Sequence, residues 1–246
     1  MARISVVDDS ISLDSPVLVE GFPGVGLVGK IAADHLVTAH DMRHYANVHC
    51  QGLPEVAVYR ESEPALTTPV RLYAAPETGL AVLQSDVPVN PSAATRFADC
   101  LAGWFDETDA FPVFLSGRPS ERDVEPPRLY AVTTGNGGDR LDDADADDPP
   151  ESGLVSGPTG AMLADALERG RDAVGFVVES DPQFPDPEAS RTLIVDGIDP
   201  IAGTETPIDG LVDQAGEIRE AKQQLAERMR RATEESSQAE PLKMYQ

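Results

Sequence analysis

The sequence predicts an α/β sandwich in which helices pack against a largely parallel or mixed sheet. Three observations carry that expectation. An apolar run, Val17-Leu18-Val19, enters a glycine-rich turn and then a helical pattern, Ile31 to Val37. Further short apolar runs follow, punctuated by glycine and proline. Two later stretches repeat apolar residues at helical spacing, and the second leads into a buried strand.

The elements fall in order. Ile4 to Val7 reads as a short first strand. Met42 to His49, Val56 to Tyr59, Val70 to Ala75 and Leu80 to Gln84 read as strands between turn residues. Asn90-Pro91-Ser92 starts a helix whose Ala94, Phe97, Ala98, Leu101 and Trp104-Phe105 share one buried face. Phe111 to Leu115 and Leu129 to Thr133 are strands, and Gly160 to Arg169 is a short helix stopped by Gly170. Ala173 to Val178 is a late buried strand. Asp186-Pro187 opens a helix running to Ile198, with proline where a missing N–H costs nothing.

Residues 135–152 interrupt this pattern. They are rich in glycine and aspartate and nearly devoid of apolar side chains, so a mobile surface loop is expected. Their spacing lacks the regular acidic ligands of a calcium loop. From Asp209 the character changes again. Leu211, Ala215, Ile218, Lys222, Leu225, Met229 and Ala232 alternate at intervals of four and three, a coiled-coil-like seam interrupted by Lys222. Such a helix pairs with another copy or lies back on its own domain. The expected organisation is a sandwich domain over 1–208, a C-terminal helix over 209–235 and a flexible polar tail over 236–246.

Charge narrows the function classes. Nineteen basic against 43 acidic residues leave a formal charge of −24, which repels nucleic acid and anionic membrane. Lysine occurs only at Lys30, Lys222 and Lys243. A surface of this kind suits a cytosol of very high salt, where screening suppresses self-repulsion. No N-terminal signal pattern and no run long enough for a membrane span are visible, which points to the cytoplasm. Cys50 and Cys100 cannot form a disulfide framework and show no metal spacing, so each is expected to fill a small apolar core site.

The stretch Gly21-Phe22-Pro23-Gly24-Val25-Gly26-Leu27-Val28-Gly29-Lys30 is the most informative motif. Gly24, Gly26 and Gly29 satisfy the dinucleotide fingerprint G-x-G-x-x-G. That reading wants an acid at the end of the next strand, whereas Asp41 sits in the turn before it. Gly24 to Lys30 also reads G-x-x-x-x-G-K, but Ile31 stands where a phosphate loop needs a magnesium-binding hydroxyl. The remaining reading is structural: Gly21, Gly24, Gly26 and Gly29 let the chain reverse closely and the helix pack on its strand. A nucleotide-binding enzyme using the Gly24–Gly29 turn, ATP-grasp-like or dinucleotide-dependent, is kept as the alternative.

Other chemistry is sparse. His35, His40, His44 and His49 lie close in sequence but fall on a helix, a turn and a strand end, which does not make one tetrahedral metal site. No serine sits in a nucleophile elbow. Glu179 and Asp181 stand at the end of the late buried strand, the usual place for a ligand crevice, but that is position only and a solvated strand end explains them better. No catalytic residue, cofactor or metal is therefore expected.

The residues Gly21 to Gly29 resemble the N-terminal signature of the proteasome assembly chaperone family, the group named for the second eukaryotic assembly chaperone. Gly157-Pro158-Thr159-Gly160-Ala161-Met162-Leu163 is similar to the family's second glycine-plus-leucine segment. Pro185-Asp186-Pro187-Glu188-Ala189-Ser190 resembles its helix start. The resemblance implies a three-layer α/β/α sandwich related to purine nucleoside phosphorylases, without enzymatic activity and often homo-oligomeric. The last residues, Met244-Tyr245-Gln246, match the hydrophobic-tyrosine-any-residue tail by which proteasome regulators dock on α-subunits. The resemblance thus implies an archaeal-type chaperone or docking factor whose partner is the proteasome α-ring.

Overall fold

A computed structural model describes residues 3–51, 53–60, 63–120 and 126–211. Among the described residues ten strands form: β1 Arg3–Val6, β2 Val17–Gly21, β3 Arg43–His49, β4 Val58–Arg60, β5 Glu63–Thr67, β6 Val70–Ala75, β7 Leu80–Ser85, β8 Phe111–Pro119, β9 Leu129–Thr134 and β10 Ala173–Ser180. The helices are α1 Val28–Ala39, α2 Ala94–Thr108, α3 Gly157–Arg169, α4 Pro187–Thr192 and α5 Asp199–Ala202. A π-helical segment, Leu193–Ile198, joins the last two into one rod.

Eight strands make one sheet in the order β1-β3-β6-β7-β2-β8-β10-β9. The central four, β7-β2-β8-β10, run parallel, and antiparallel strands flank them on both sides. The parallel strands are covered on both faces, so they read as continuous apolar runs without alternation. β2 and β7 are buried at every position. Val17 and Val19 join a core with α1 and the α4–α5 rod, while Leu18 joins the core under α2 and α3. Successive residues of one strand thus feed opposite layers, giving helices on each face of a large central sheet.

β4 and β5 form a separate two-stranded sheet. The sequence reading marked Val56 to Tyr59 but missed β5, because Glu63-Pro64-Ala65-Leu66-Thr67 has no apolar alternation. Tyr59 and Leu66 on this hairpin are exposed.

Two expectations are overturned. Residues 135–152 are not an unpacked loop: Leu141, Ala144 and Ala146 pack against the core on the α1 side. Asp147 pairs beside β9, accepting from the Ala131 N–H (3.1 Å) and donating to the Leu129 carbonyl (2.9 Å), while the Asp145 N–H donates to the Asp196 carbonyl (2.8 Å). One leucine and two alanines spaced among the aspartates suffice to hold the segment down, and it blunts an otherwise open sheet edge. The cysteines do not sit apart either. Cys50, just past β3, and Cys100, on α2, form a disulfide with Cα atoms 6.0 Å apart. Fifty residues of separation hide the fact that both elements meet in the α2 layer.

The bond closes a long loop, so Cys100→Ser is expected to lower unfolding free energy by about 2–4 kcal/mol in oxidising buffer. Adding reductant should produce the same loss in the wild type and none in the variant, as followed by denaturant titration.

Candidate functional site

The glycine turn leaves the sheet between its central strands. After β2 the chain passes Phe22 to Gly24 and a 3₁₀ turn, Val25–Leu27, before α1 begins. Gly26 and Leu27 both have positive φ, +60° and +53°. A Cβ on Gly26 would overlap Ser180 Oγ at the end of β10. One on Gly21 would overlap Ala33 Cβ and lie 2.6 Å from the Gly29 carbonyl, and one on Gly29 would lie 3.3 Å from the Phe22 carbonyl. Gly24 differs, with nothing within 4 Å of such a carbon. On the β8 side, Gly117 leaves room for the Val25 carbonyl.

Lys30 does not reach over this turn as a phosphate-binding lysine. Its ammonium lies 2.5 Å from Asp34 and 3.6 Å from Asp86. Asp86 also accepts from the buried Arg71 (2.6 Å), and Arg71 donates to Gln84 (3.3 Å), which bonds back to Asp34. The lysine is one member of a closed ionic network. With Ile31 beside it and Asp41 in the turn before β3, the nucleotide alternative gains no support.

Directly before the turn, Glu20 is wholly buried. Its carboxyl accepts from Thr159 Oγ (3.2 Å) at the start of α3 and from the Leu115 N–H (3.4 Å). Burial pushes its pKa up to about 8, only partly offset by the Leu115, Thr159 and Phe22 hydrogen bonds. Glu20 is therefore largely uncharged at neutral pH and ties β2, β8 and α3 together through hydrogen bonds.

A cleft of about 490 Å³ opens at the C-terminal ends of β8 and β10, beside the start of β9. A strap, residues 149–155, forms its outer wall on the way to α3. Arg118 on β8 donates to Glu151 on the strap (2.5 Å) and lies 3.5 Å from Glu179 on β10. Tyr130 on β9 donates to Glu179 (3.1 Å), and the Arg118 guanidinium stands 5.9 Å from the Tyr130 ring centre. Burial, with the Glu179 carboxylate next, raises the Tyr130 pKa above its ordinary value. Val132, Val155 and Val177 supply apolar wall, and Leu154 stands at the rim, 88% exposed. This is the position in an open α/β sheet where ligands bind.

The structure thus ties Glu179 to the cleft residues Arg118 and Tyr130 but sends Asp181 elsewhere. The Asp181 N–H donates to Asp186 (3.0 Å), which also caps α4 by accepting from the Ala189 N–H (3.1 Å). Of the histidines, His35 and His40 meet one segment, through the Pro207 carbonyl (2.6 Å) and Thr206 Oγ (2.9 Å), while His44 lies tilted against the Tyr73 ring, centres 5.4 Å apart. Met244, Tyr245 and Gln246 lie outside the described residues, as does nearly all of the segment 209–246. Sequence reasoning missed Glu20, Arg118 and Tyr130. A lone acid inside the apolar run Val17–Gly21 was the available signal for Glu20. Nothing local marked Arg118 or Tyr130, since their neighbours come from other strands and the strap.

A large parallel-centred sheet, helices on both faces and a glycine turn packed into its middle define the class of molecule. The sequence profile of the PAC2 family matches residues 18–226, and the chain belongs to that family. An uncharacterized protein of Methanocaldococcus jannaschii, MJ0106, is 23% identical over 234 residues, 94% of each chain. The fold is similar to that of Pyrococcus furiosus PbaB, described as an archaeal proteasome activator: the TM-score is 0.78 at 20% identity, covering 92% of this chain and 98% of that one. It is also similar to P. furiosus PbaA, described as an archaeal homolog of proteasome-assembly chaperone, with TM-score 0.77, 21% identity and 95% coverage of both.

Proposed function

We propose that this protein is a non-enzymatic proteasome assembly chaperone or docking factor that engages the α-ring through Met244, Tyr245 and Gln246. The observation that carries the reading is the pairing of PAC2 family membership with a hydrophobic-tyrosine-any-residue ending in one chain. The names borne by PbaA and PbaB point to the same partner. Gly21, Gly26 and Gly29 then serve packing, Gly24 has no neighbour that demands a glycine, and the protein acts without cofactor or metal. Among the described residues no helix is long and apolar enough to cross a membrane. The acidic charge suits a high-salt setting and we place the protein in the cytoplasm, while the Cys50–Cys100 bond argues against a strongly reducing one.

A single tail offers one ring, one apolar side chain and a carboxylate, so its own affinity is low. Several tails on a homo-oligomer, assembled in part by the seam from Leu211 to Ala232, meet a ring of repeated pockets and gain through effective concentration. Tyr245→Ala removes every ring at once, and one residue added after Gln246 displaces every carboxylate. Both changes are expected to cut recovery of the cognate α-ring in pull-downs by at least about tenfold. Equal recovery by wild-type, Tyr245→Ala and extended proteins would sink the docking mechanism.

A further inference from the structure

The cleft at the ends of β8 and β10 has features that packing alone does not require. Its apolar wall of Val132, Val155 and Val177 is left partly open by α3, which begins only at Gly157, and Leu154 at the rim is left almost wholly exposed. Arg118 is fixed from within by Glu179, itself held by the Tyr130 hydroxyl. On the outer side, however, the guanidinium is met by Glu151, whose side chain is 68% exposed on the strap. An exposed carboxylate gains little from such a pair, because water solvates it nearly as well. Glu151 therefore occupies the outer face of Arg118 as an exchangeable anion.

We propose that the cleft binds a small carboxylate carrying an apolar group, with its anion replacing Glu151 on Arg118 and its apolar part covering Val132, Val155, Val177 and Leu154. The exchange leaves the charge count around Arg118 unchanged: one carboxylate leaves for solvent and another arrives. It adds apolar burial that Glu151 does not supply, which gives the driving force. The volume of about 490 Å³ lies within the range of small-ligand sites. Such a ligand is either a free small acid or the carboxyl end of a peptide, and both present the same chemistry.

The test is thermal melting of the full chain with N-acetyl-leucine, its amide, acetyl-Ala-Ala-Leu as the free acid, and leucinamide as a cationic control. The acids are expected to raise the melting temperature saturably, by about 5–10 °C at a hundredfold excess over Kd, and the amide to do so at least about tenfold less tightly. Tighter binding of the tripeptide than of N-acetyl-leucine identifies a peptide end as the source, and equal binding identifies a free acid. Arg118→Gln should abolish the acid effect. Glu151→Gln, at an exposed position, should instead strengthen acid binding by about two- to fivefold, because the weak internal competitor is gone. No shift with either acid, equal shifts with acid and amide, a shift only with leucinamide, or unchanged affinity in Glu151→Gln would each overturn the proposal.

Discussion

Gly26→Ala is expected to destabilise the protein by about 2–4 kcal/mol, while Gly24→Ala, two residues away in the same motif, changes stability by only a few tenths. At Gly26 the φ of +60° disfavours any side chain, and the new carbon would overlap Ser180 Oγ. The turn has little freedom to retreat. Its Gly26 carbonyl is held by the Asp186 N–H at 2.8 Å, and Gly117 is already pressed against Val25 from the β8 side. Gly24 has extended angles and open space around it, so alanine fits. Ser180→Ala in the Gly26→Ala background removes the overlapping oxygen but leaves the backbone strain, and it should restore part of the loss. Denaturant unfolding of the four proteins checks this. Equal destabilisation at Gly24 and Gly26, or no rescue by Ser180→Ala, would mean that the turn is not held by the contacts described.

Local pattern made most of the sheet and helix layers legible. Val17–Val19, Leu80–Gln84 and Ala173–Val178 are apolar on both faces, which only a strand covered twice requires, and α2 announces its buried face through Phe97, Leu101 and Phe105. The Asp186-Pro187 helix start was equally readable, since the cap and the fixed proline φ act within one turn. What failed was whatever depended on distant partners. Leu141, Ala144 and Ala146 looked too few to hold residues 135–152, because their burial depends on a core assembled from α1 and the α4–α5 rod. Cys50 and Cys100 meet only once α2 packs over the end of β3. The cleft had the same cause of obscurity: Arg118, Tyr130, Glu151 and Glu179 come from four separate segments, and only Glu179 stood at a position that sheet topology marks in advance.

Glu20 should make the stability of the native protein fall as pH rises. Its folded pKa of about 8 lies above the ordinary value of 4.5 that it recovers on unfolding. Below about pH 4.5 the group is protonated in both states and contributes no pH dependence. Between about pH 4.5 and 8 the unfolded chain releases the proton while the folded chain keeps it, so the unfolded state gains. Above about 8 the full penalty is present, on the order of 5 kcal/mol for a shift of this size. Glu20→Gln is uncharged throughout. Its carbonyl still accepts from a backbone N–H, and its amide can donate to Thr159 Oγ, which turns to accept. The variant is therefore expected to match the wild type near pH 5 and to exceed it in stability by several kcal/mol at pH 9. The other 42 acidic residues also titrate, but they do so in both proteins, so the difference between the two curves isolates Glu20. Denaturant unfolding of both at fixed salt across this range gives the measurement. Parallel curves would show that the Glu20 carboxyl ionises in the fold at no special cost, through water reaching it or a rearrangement of the Thr159 end of α3.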